Sequence, residues 1–218
     1  MDTMYSIVGF FVSGGVFMYP ILLVLAFGLA IGIERYVTLT LVTKKNQKVW
    51  EDVQPLLSRG DFEGARKLTE GDDATISQVL SMGLSLQGAV RRREDIEIAM
   101  EESMMEIVPR LEKRTPYVAL AASIATLLGL LGTIMGLIQA FTAVANANPA
   151  EKADLLSASI SVAMNTTAFG LIVAIPLLIV HAILTSKTGD IVDSLEMATV
   201  KTLNVFSKRA KRQLEIAA

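Results

Sequence analysis

Three long stretches of the chain carry no Asp, Glu, Lys or Arg: Thr3 to Ile33, the 36 residues from Thr115 to Ala150, and the 32 residues from Leu155 to Ser186, with the lone His181 inside the last. About 20 mostly apolar residues in a helix cross the hydrocarbon core of a bilayer. Each stretch therefore predicts one transmembrane helix, placed at 16–38, 116–144 and 155–186. Between the first two, the polarity pattern changes from continuous to periodic. Lys48 to Leu57, Asp61 to Leu68 and Thr75 to Leu86 each predict a short amphipathic helix, separated by the turn signals Ser58–Arg59–Gly60–Asp61 and Gly71–Asp72–Asp73. Arg91 to Arg114 predicts a longer one, with Ile96, Met100, Met104, Ile107/Val108 and Leu111 at helical spacing opposite a mainly acidic face. Only Pro109 and Pro116 interrupt its run into the second span, so a single long helix, at most kinked, is expected there. Beyond the third span, Ile191, Leu195, Ala198, Thr202 and Val205 continue the three-to-four spacing into the tail.

The expected fold is an all-α integral membrane protein, three transmembrane helices with long cytoplasmic helical extensions. Composition supports it: 52% of the 218 residues are hydrophobic, while the 19% that are charged lie outside the three runs. The first run has no basic segment before it and ends in Glu34–Arg35 with no small-residue cleavage site, so it reads as a retained helix and not a cleaved signal. Lys and Arg placement sets the orientation. Lys44, Lys45 and Lys48 follow span one, Arg110, Lys113 and Arg114 precede span two, and Lys187, Lys208, Arg209, Lys211 and Arg212 follow span three. By the positive-inside rule 1–15 is a periplasmic N-terminus, 39–115 a cytoplasmic helical domain, 145–154 a periplasmic loop and 187–218 a cytoplasmic C-terminal helix.

Charge and residue inventory exclude much. A net charge of −2 gives no reason to expect nucleic acid. The absence of Cys removes disulfides, thiolate metal sites and cysteine nucleophiles. With one His and no nucleotide loop, zinc cluster or catalytic triad, neither an enzyme nor a bound metal or cofactor is expected. Carboxylates are missing from the interiors of the spans, so a chain of this kind that moves protons does not itself supply the group that carries them.

The polar residues inside the spans are the candidate chemistry. Ser123, Thr126, Gly129, Thr133 and Gly136 step along one face of span two, beside Gly132. In span three, Asn165–Thr166–Thr167 sits among Ser159, Ala163, Gly170 and Ala174, and Gly28 and Gly32 form a G-x-x-x-G patch on span one. Two readings stand side by side. Small and hydroxylated residues allow close helix approach, each Thr bonding its own preceding carbonyl; or the hydroxyls and Asn165 line a pore or a groove that receives another helix. His181 is either an interfacial residue or a proton-transfer group. Glu34 and Arg35 read as an interfacial anchor or an intersubunit ion pair, and Arg91–Arg92–Arg93 as a solvated helix start facing Glu94–Asp95, or a contact for lipid head groups.

Two stretches, "LLGLLGTIMGLIQAF" (Leu127 to Phe141) and "ISVAMNTTAFGLIVAIPLLI" (Ile160 to Ile179), closely resemble the second and third membrane helices of the ExbB/TolQ/MotA proton-channel family. "RGDFEGARKL" (Arg59 to Leu68) is similar to that family's G-D-x-x-x-A-x-x-L element, and "ERY" (Glu34 to Tyr36) matches as well. Three spans favour the ExbB/TolQ branch over MotA. The resemblance implies a homo-oligomer, a pentamer in characterised relatives, whose second and third helices surround a pore. That pore would hold single-span ExbD/TolR-like partner helices whose membrane Asp carries the ion, in a bacterial inner membrane where the complex drives a TonB-like transducer. Carried over by motif, the pore threonines are Thr133 and Thr167. One position departs: Val162 stands where ExbB and TolQ usually have Glu. The neutral oxygens of Asn165, Thr166 and Thr167 suit Na⁺ as well as H⁺, which leaves both ions open. A TolQ-like or MotA-like stator, or a membrane scaffold without ion flux, are the competing functions.

Overall fold

In a computed structural model, residues 14–88 and 92–217 are described, with side chains omitted at 146 and 210–217. The predicted N-terminal segment before residue 14, and Arg91, Lys211 and Arg212, therefore lie outside the described residues or side chains. Six helices account for almost all of the described chain: α1 (Met18–Arg59), α2 (Phe62–Thr69), α3 (Thr75–Leu86), α4 (Arg93–Glu112), α5 (Thr115–Asn146) and α6 (Lys152–Ala217). No strand occurs among the described residues. Three stretches, beginning in α1, α4 and α6, are long and apolar enough to cross a membrane.

Two of the sequence expectations change. Lys48 to Leu57 is not a separate helix but the last part of α1, which runs unbroken for 42 residues with Pro55 inside it. The switch from continuous to periodic hydrophobicity marks a change of surroundings, and the backbone does not register it. Conversely, the expected single helix through 91–144 is two helices. Proline has no N–H for the carbonyl four residues back and its ring crowds that carbonyl, so Pro116 sits in the first turn of a new helix. The chain turns at Lys113–Arg114, where the Lys113 N–H closes α4 on the Pro109 carbonyl at 3.1 Å. Arg114 takes a left-handed φ of 69°, a conformation that an L side chain resists.

The chain forms two compact units, Met1–Arg35 with Arg114–Ile183, and Tyr36–Lys113 with Leu184–Ala218. The first contains the apolar part of α1, all of α5 and the first part of α6. Many of its buried residues are small: Ala121, Ala122, Ala125, Ala140, Ala163 and Ala174 are at most 2% exposed, alongside the larger Met18, Ile21 and Leu177. Large side chains such as Leu23, Phe27, Leu127, Ile138 and Ile172 point outward and are more than half exposed. A surface of this kind is suited to lipid or to other membrane helices and not to water.

The second unit has an ordinary water-soluble core of Leu39, Val53, Leu80, Met100, Ile107, Leu195 and Leu203, each at most 2% exposed. Its turns follow from the sequence. Gly60, with φ 76°, ends α1: the Gly60 N–H bonds the Leu57 carbonyl at 3.0 Å and the Asp61 N–H bonds the Leu56 carbonyl at 2.9 Å. That pair of bonds is the Schellman motif, which needs a residue free to adopt positive φ. Asp61 then caps α2 by accepting the Gly64 N–H at 2.9 Å, and Ala65 and Phe62 turn inward. The G-D-x-x-x-A spacing is thus a helix stop, a helix start and a core contact in sequence. At the second turn Asp72 accepts the Ser77 hydroxyl at 2.5 Å and the Ala74 N–H at 3.2 Å, and pairs with Lys45 at 3.2 Å. Asn46, 4% exposed on α1, accepts the Ile76 N–H and bonds the Thr75 hydroxyl, which ties α3 to α1.

Candidate functional site

Small residues bring α5 and α6 together until their backbones touch. A methyl group at Gly170 would lie 2.7 Å from the Ala125 carbonyl oxygen and 3.0 Å from the Gly129 Cα. At Gly136 it would lie 2.7 Å from the Ala163 Cβ, and at Gly132 it would run into the Thr166 side chain. Gly28 and Gly32 do the same for α1, the first against Leu177 and Ala121 and the second against Val180. All six glycines therefore sit in helix contacts, as the small-residue rule of membrane helices requires.

At the closest part of the α5–α6 crossing two hydroxyls meet. Thr133 Oγ1 and Thr167 Oγ1 lie 3.0 Å apart. Thr133 Oγ1 is also 2.7 Å from the Leu130 carbonyl oxygen, and Thr167 Oγ1 is 2.8 Å from the Gly129 carbonyl oxygen on the other helix. Each hydroxyl has one proton, so two arrangements are available. Thr167 donates to Thr133, which donates to Leu130; or Thr133 donates to Thr167, which donates to Gly129. Both side chains are half-buried, leaving lone pairs that a third group can reach.

Neighbouring polar residues point elsewhere. Successive helical residues are turned by about 100°, so Asn165, Thr166 and Thr167 do not converge. Thr166 is 2% exposed and its hydroxyl donates to the Gly14 carbonyl at 2.6 Å, in the segment just before α1. Val162 meets the same segment, beside Gly15. Gly14 is a participant that sequence reasoning missed, since a backbone carbonyl leaves no mark in residue types beyond the turn signal of Gly14–Gly15. Asn165 is half-buried on α6. Ser123 and Thr126 bond the carbonyls of Ala119 and Ala122 on their own helix, the packing behaviour of a membrane hydroxyl.

The other candidates lie away from the pair. His181 is half-buried on α6, roughly 21 Å along the helix from Thr167 at 1.5 Å per residue. Glu34 finds an ion partner within the chain, the Arg114 guanidinium at 3.6 Å. This contact lies where α5 begins. Arg35 is 6% exposed, Arg92 stands at the N-cap position of α4 without a side-chain capping bond, and Arg93 pairs with Glu97 at 3.8 Å. Among the described residues no group of three His, Asp or Glu side chains is placed to hold a metal.

Residues 72–197 match the family model described as the MotA/TolQ/ExbB proton channel family. The matched region contains both threonines, all of α5, and α6 as far as residue 197. The chain belongs to the MotA/TolQ/ExbB family. It is similar to a putative biopolymer transport protein ExbB homolog of Methanothermobacter thermautotrophicus, 27% identical over 195 residues, covering 88% of this chain and 67% of the relative. A putative biopolymer transport protein ExbB-like 3 of Synechocystis sp. is 27% identical over 168 residues, covering 77% and 79%. The Tol-Pal system protein TolQ of Haemophilus influenzae is 31% identical over 117 residues, half of each chain. As a MotA/TolQ/ExbB protein the chain is a membrane protein of a channel and transport-coupling family, and the Thr133–Thr167 pair lies in its two family-matched membrane helices.

Proposed function

We propose that the chain is the ExbB-like channel subunit of an ion-driven motor in a bacterial inner membrane. In this reading it forms a pentamer around single-span ExbD/TolR-like helices, whose membrane Asp carries the ion past the Thr133 and Thr167 hydroxyls. Ion flow then moves the partner, which drives a TonB-like transducer for outer-membrane transport. The coupling ion is H⁺ or Na⁺. The N-terminus faces the periplasm, and the α6 tail faces the cytoplasm with the helices between spans one and two. The observation that carries the reading is the pair itself: a two-hydroxyl crossing with free lone pairs, in three apolar spans that hold no carboxylate at mid-depth. Hydroxyls do not titrate near neutral pH, so the pair can receive and orient an ion but needs a carboxylate from elsewhere to carry it.

The test is reconstitution. The purified chain in liposomes should show no proton or sodium flux above empty vesicles, and flux should appear when the single-span partner is added. Robust flux from the chain alone would overturn the partner-carboxylate reading. The 31% identity to TolQ favours a second reading, a TolQ-like stator. Co-purification decides between the two, since a TolR-like and an ExbD-like partner contact different transducers.

A further inference from the structure

The second unit has two surfaces of opposite character. On the outer face of α4, Ile98 and Met105 are 60% and 73% exposed. They are seven residues apart, hence on one stripe, and that stripe is opposite the buried Ile96, Met100 and Ile107. Asp95, Glu101 and Glu102 flank it. The other surface is a groove between α1 and α6 with cavities of about 280 and 240 Å³, both lined by Trp50. The larger is lined also by Lys201, Val205 and Lys208, with no carboxylate among its lining residues, and the smaller by Met197 and Asp190. The Lys201 ammonium lies 5.7 Å from the Trp50 ring centroid.

We infer that these surfaces bind each other between neighbouring copies of the chain, the α4 face of one copy seated in the α1–α6 groove of the next. The inference rests on the proposed ring. A contact between two different patches is head-to-tail, the kind that closes into a ring. An apolar stripe flanked by acids laid in an aromatic groove flanked by lysines is helix-in-groove recognition with matched charge.

The register follows from one contact. Within a protomer Met104 Sδ lies 4.0 Å from Thr199 Oγ1, which sets those two residues level. In the proposed topology α4 leads into span two and α6 leaves span three on the same side of the bilayer, so they run in opposite directions along the ring axis. Rotation about that axis keeps levels, so the same register holds between copies. Ile98 is then level with Val205, Glu102 with Lys201, and Asp95 with Lys208. Apolar meets apolar, and each acid meets a base.

The chain has no cysteine, which makes the test direct. Full-length Ile98→Cys/Val205→Cys, oxidised in mild detergent, should give a ladder of covalent multimers on a denaturing gel. Neither single variant should exceed a dimer. Glu102→Lys should cut the cross-linked fraction severalfold, and adding Lys201→Glu should restore it. An intact ring by light scattering with no ladder would overturn the interface while leaving the ring. A monomeric chain would overturn the ring and the interface together. Cross-links to a co-purified partner in place of the ladder would assign the groove to that partner and overturn the self-contact.

Discussion

Thr133 and Thr167 hold their hydroxyl oxygens 3.0 Å apart at the level where Gly129 and Gly170 let the α5 and α6 backbones touch. The glycines create the approach and the threonines use it. If the pair only packs, Thr167→Val should cost about 0.6 kcal/mol, the average for an interhelical membrane hydrogen bond, and leave function intact. We expect instead that Thr167→Val and Thr133→Val assemble normally and lose partner-dependent flux. Thr166→Val is the control. It removes the bond to the Gly14 carbonyl, so it should lower thermal stability while flux per assembled complex is kept. A fully active Thr167→Val complex would return that residue to packing.

Glycine replacements should split by what surrounds them. At Gly170 an added methyl meets backbone atoms, a carbonyl oxygen at 2.7 Å and a Cα at 3.0 Å, neither of which can swing away. Gly170→Ala should therefore force α5 and α6 apart and destabilise the fold by about 1–3 kcal/mol, the usual cost of overpacking. Gly189 is in the same helix with nothing within 4 Å of the added methyl. Gly189→Ala should stabilise by about 0.5–1 kcal/mol through helix propensity alone. Thermal unfolding in detergent reads both. Equal effects of the two variants would mean that the crossing is looser than the contacts at Gly170.

These contrasts show where the chain could be read and where it could not. The three apolar spans and the limits of α3 were legible, because length and periodicity act locally. Two helix boundaries were not. Lys48 to Leu57 has the polarity of a separate element, yet α1 passes through it, since a change of environment breaks no hydrogen bond. Pro109 and Pro116 look alike in sequence. Pro109 is tolerated within α4, whereas Pro116 coincides with the start of a helix. The site was half legible. Thr166 and Thr167 have the same side chain and sit one residue apart, and only the positions of Gly14 and Thr133 distinguish the inward hydroxyl from the paired one. The link from Glu34 to Arg114 joins residues far apart in the chain, which no spacing rule reaches.

The turn between α2 and α3 should be sensitive to acid. The Ser77 hydroxyl holds the Asp72 carboxyl below its ordinary value, Lys45 and the Ala74 N–H add to this, and partial burial opposes it. Because the folded state favours the charged form, the stabilisation is complete above the ordinary aspartate value of about 3.9. It is lost as pH falls through the lower folded-state value. Asp72→Asn should lower the thermal midpoint at pH 7 and reduce the difference at the acid end, where the unaltered chain has also lost its carboxylate. Hydrogen exchange at Ala74 and Ser77 should report the same loosening. A constant gap between the two chains from pH 7 down to the most acidic pH at which both stay folded would place the effect elsewhere.

A sodium ion passing the crossing must exchange hydration water for several oxygens at once. Asn165, Thr166 and Thr167 have the right atoms, but Thr166 is buried against Gly14 and Asn165 points about 200° away from Thr167 around the helix. Among the described contacts each protomer thus brings together the Thr133 and Thr167 hydroxyls, beside the Leu130 and Gly129 carbonyls that already accept hydrogen bonds, and Val162 adds no ligand. The lone pairs of the two hydroxyls can accept the proton of a protonated carboxylic acid, and a threonine that gives up its backbone carbonyl can donate to the acid's carbonyl oxygen. We therefore expect proton coupling. Activity of the reconstituted complex, measured against external Na⁺ at fixed pH and membrane potential, should be flat. A saturable rise that Thr166→Ala leaves alone would instead assign sodium to the hydroxyl pair, with its remaining ligands supplied by the partner helices.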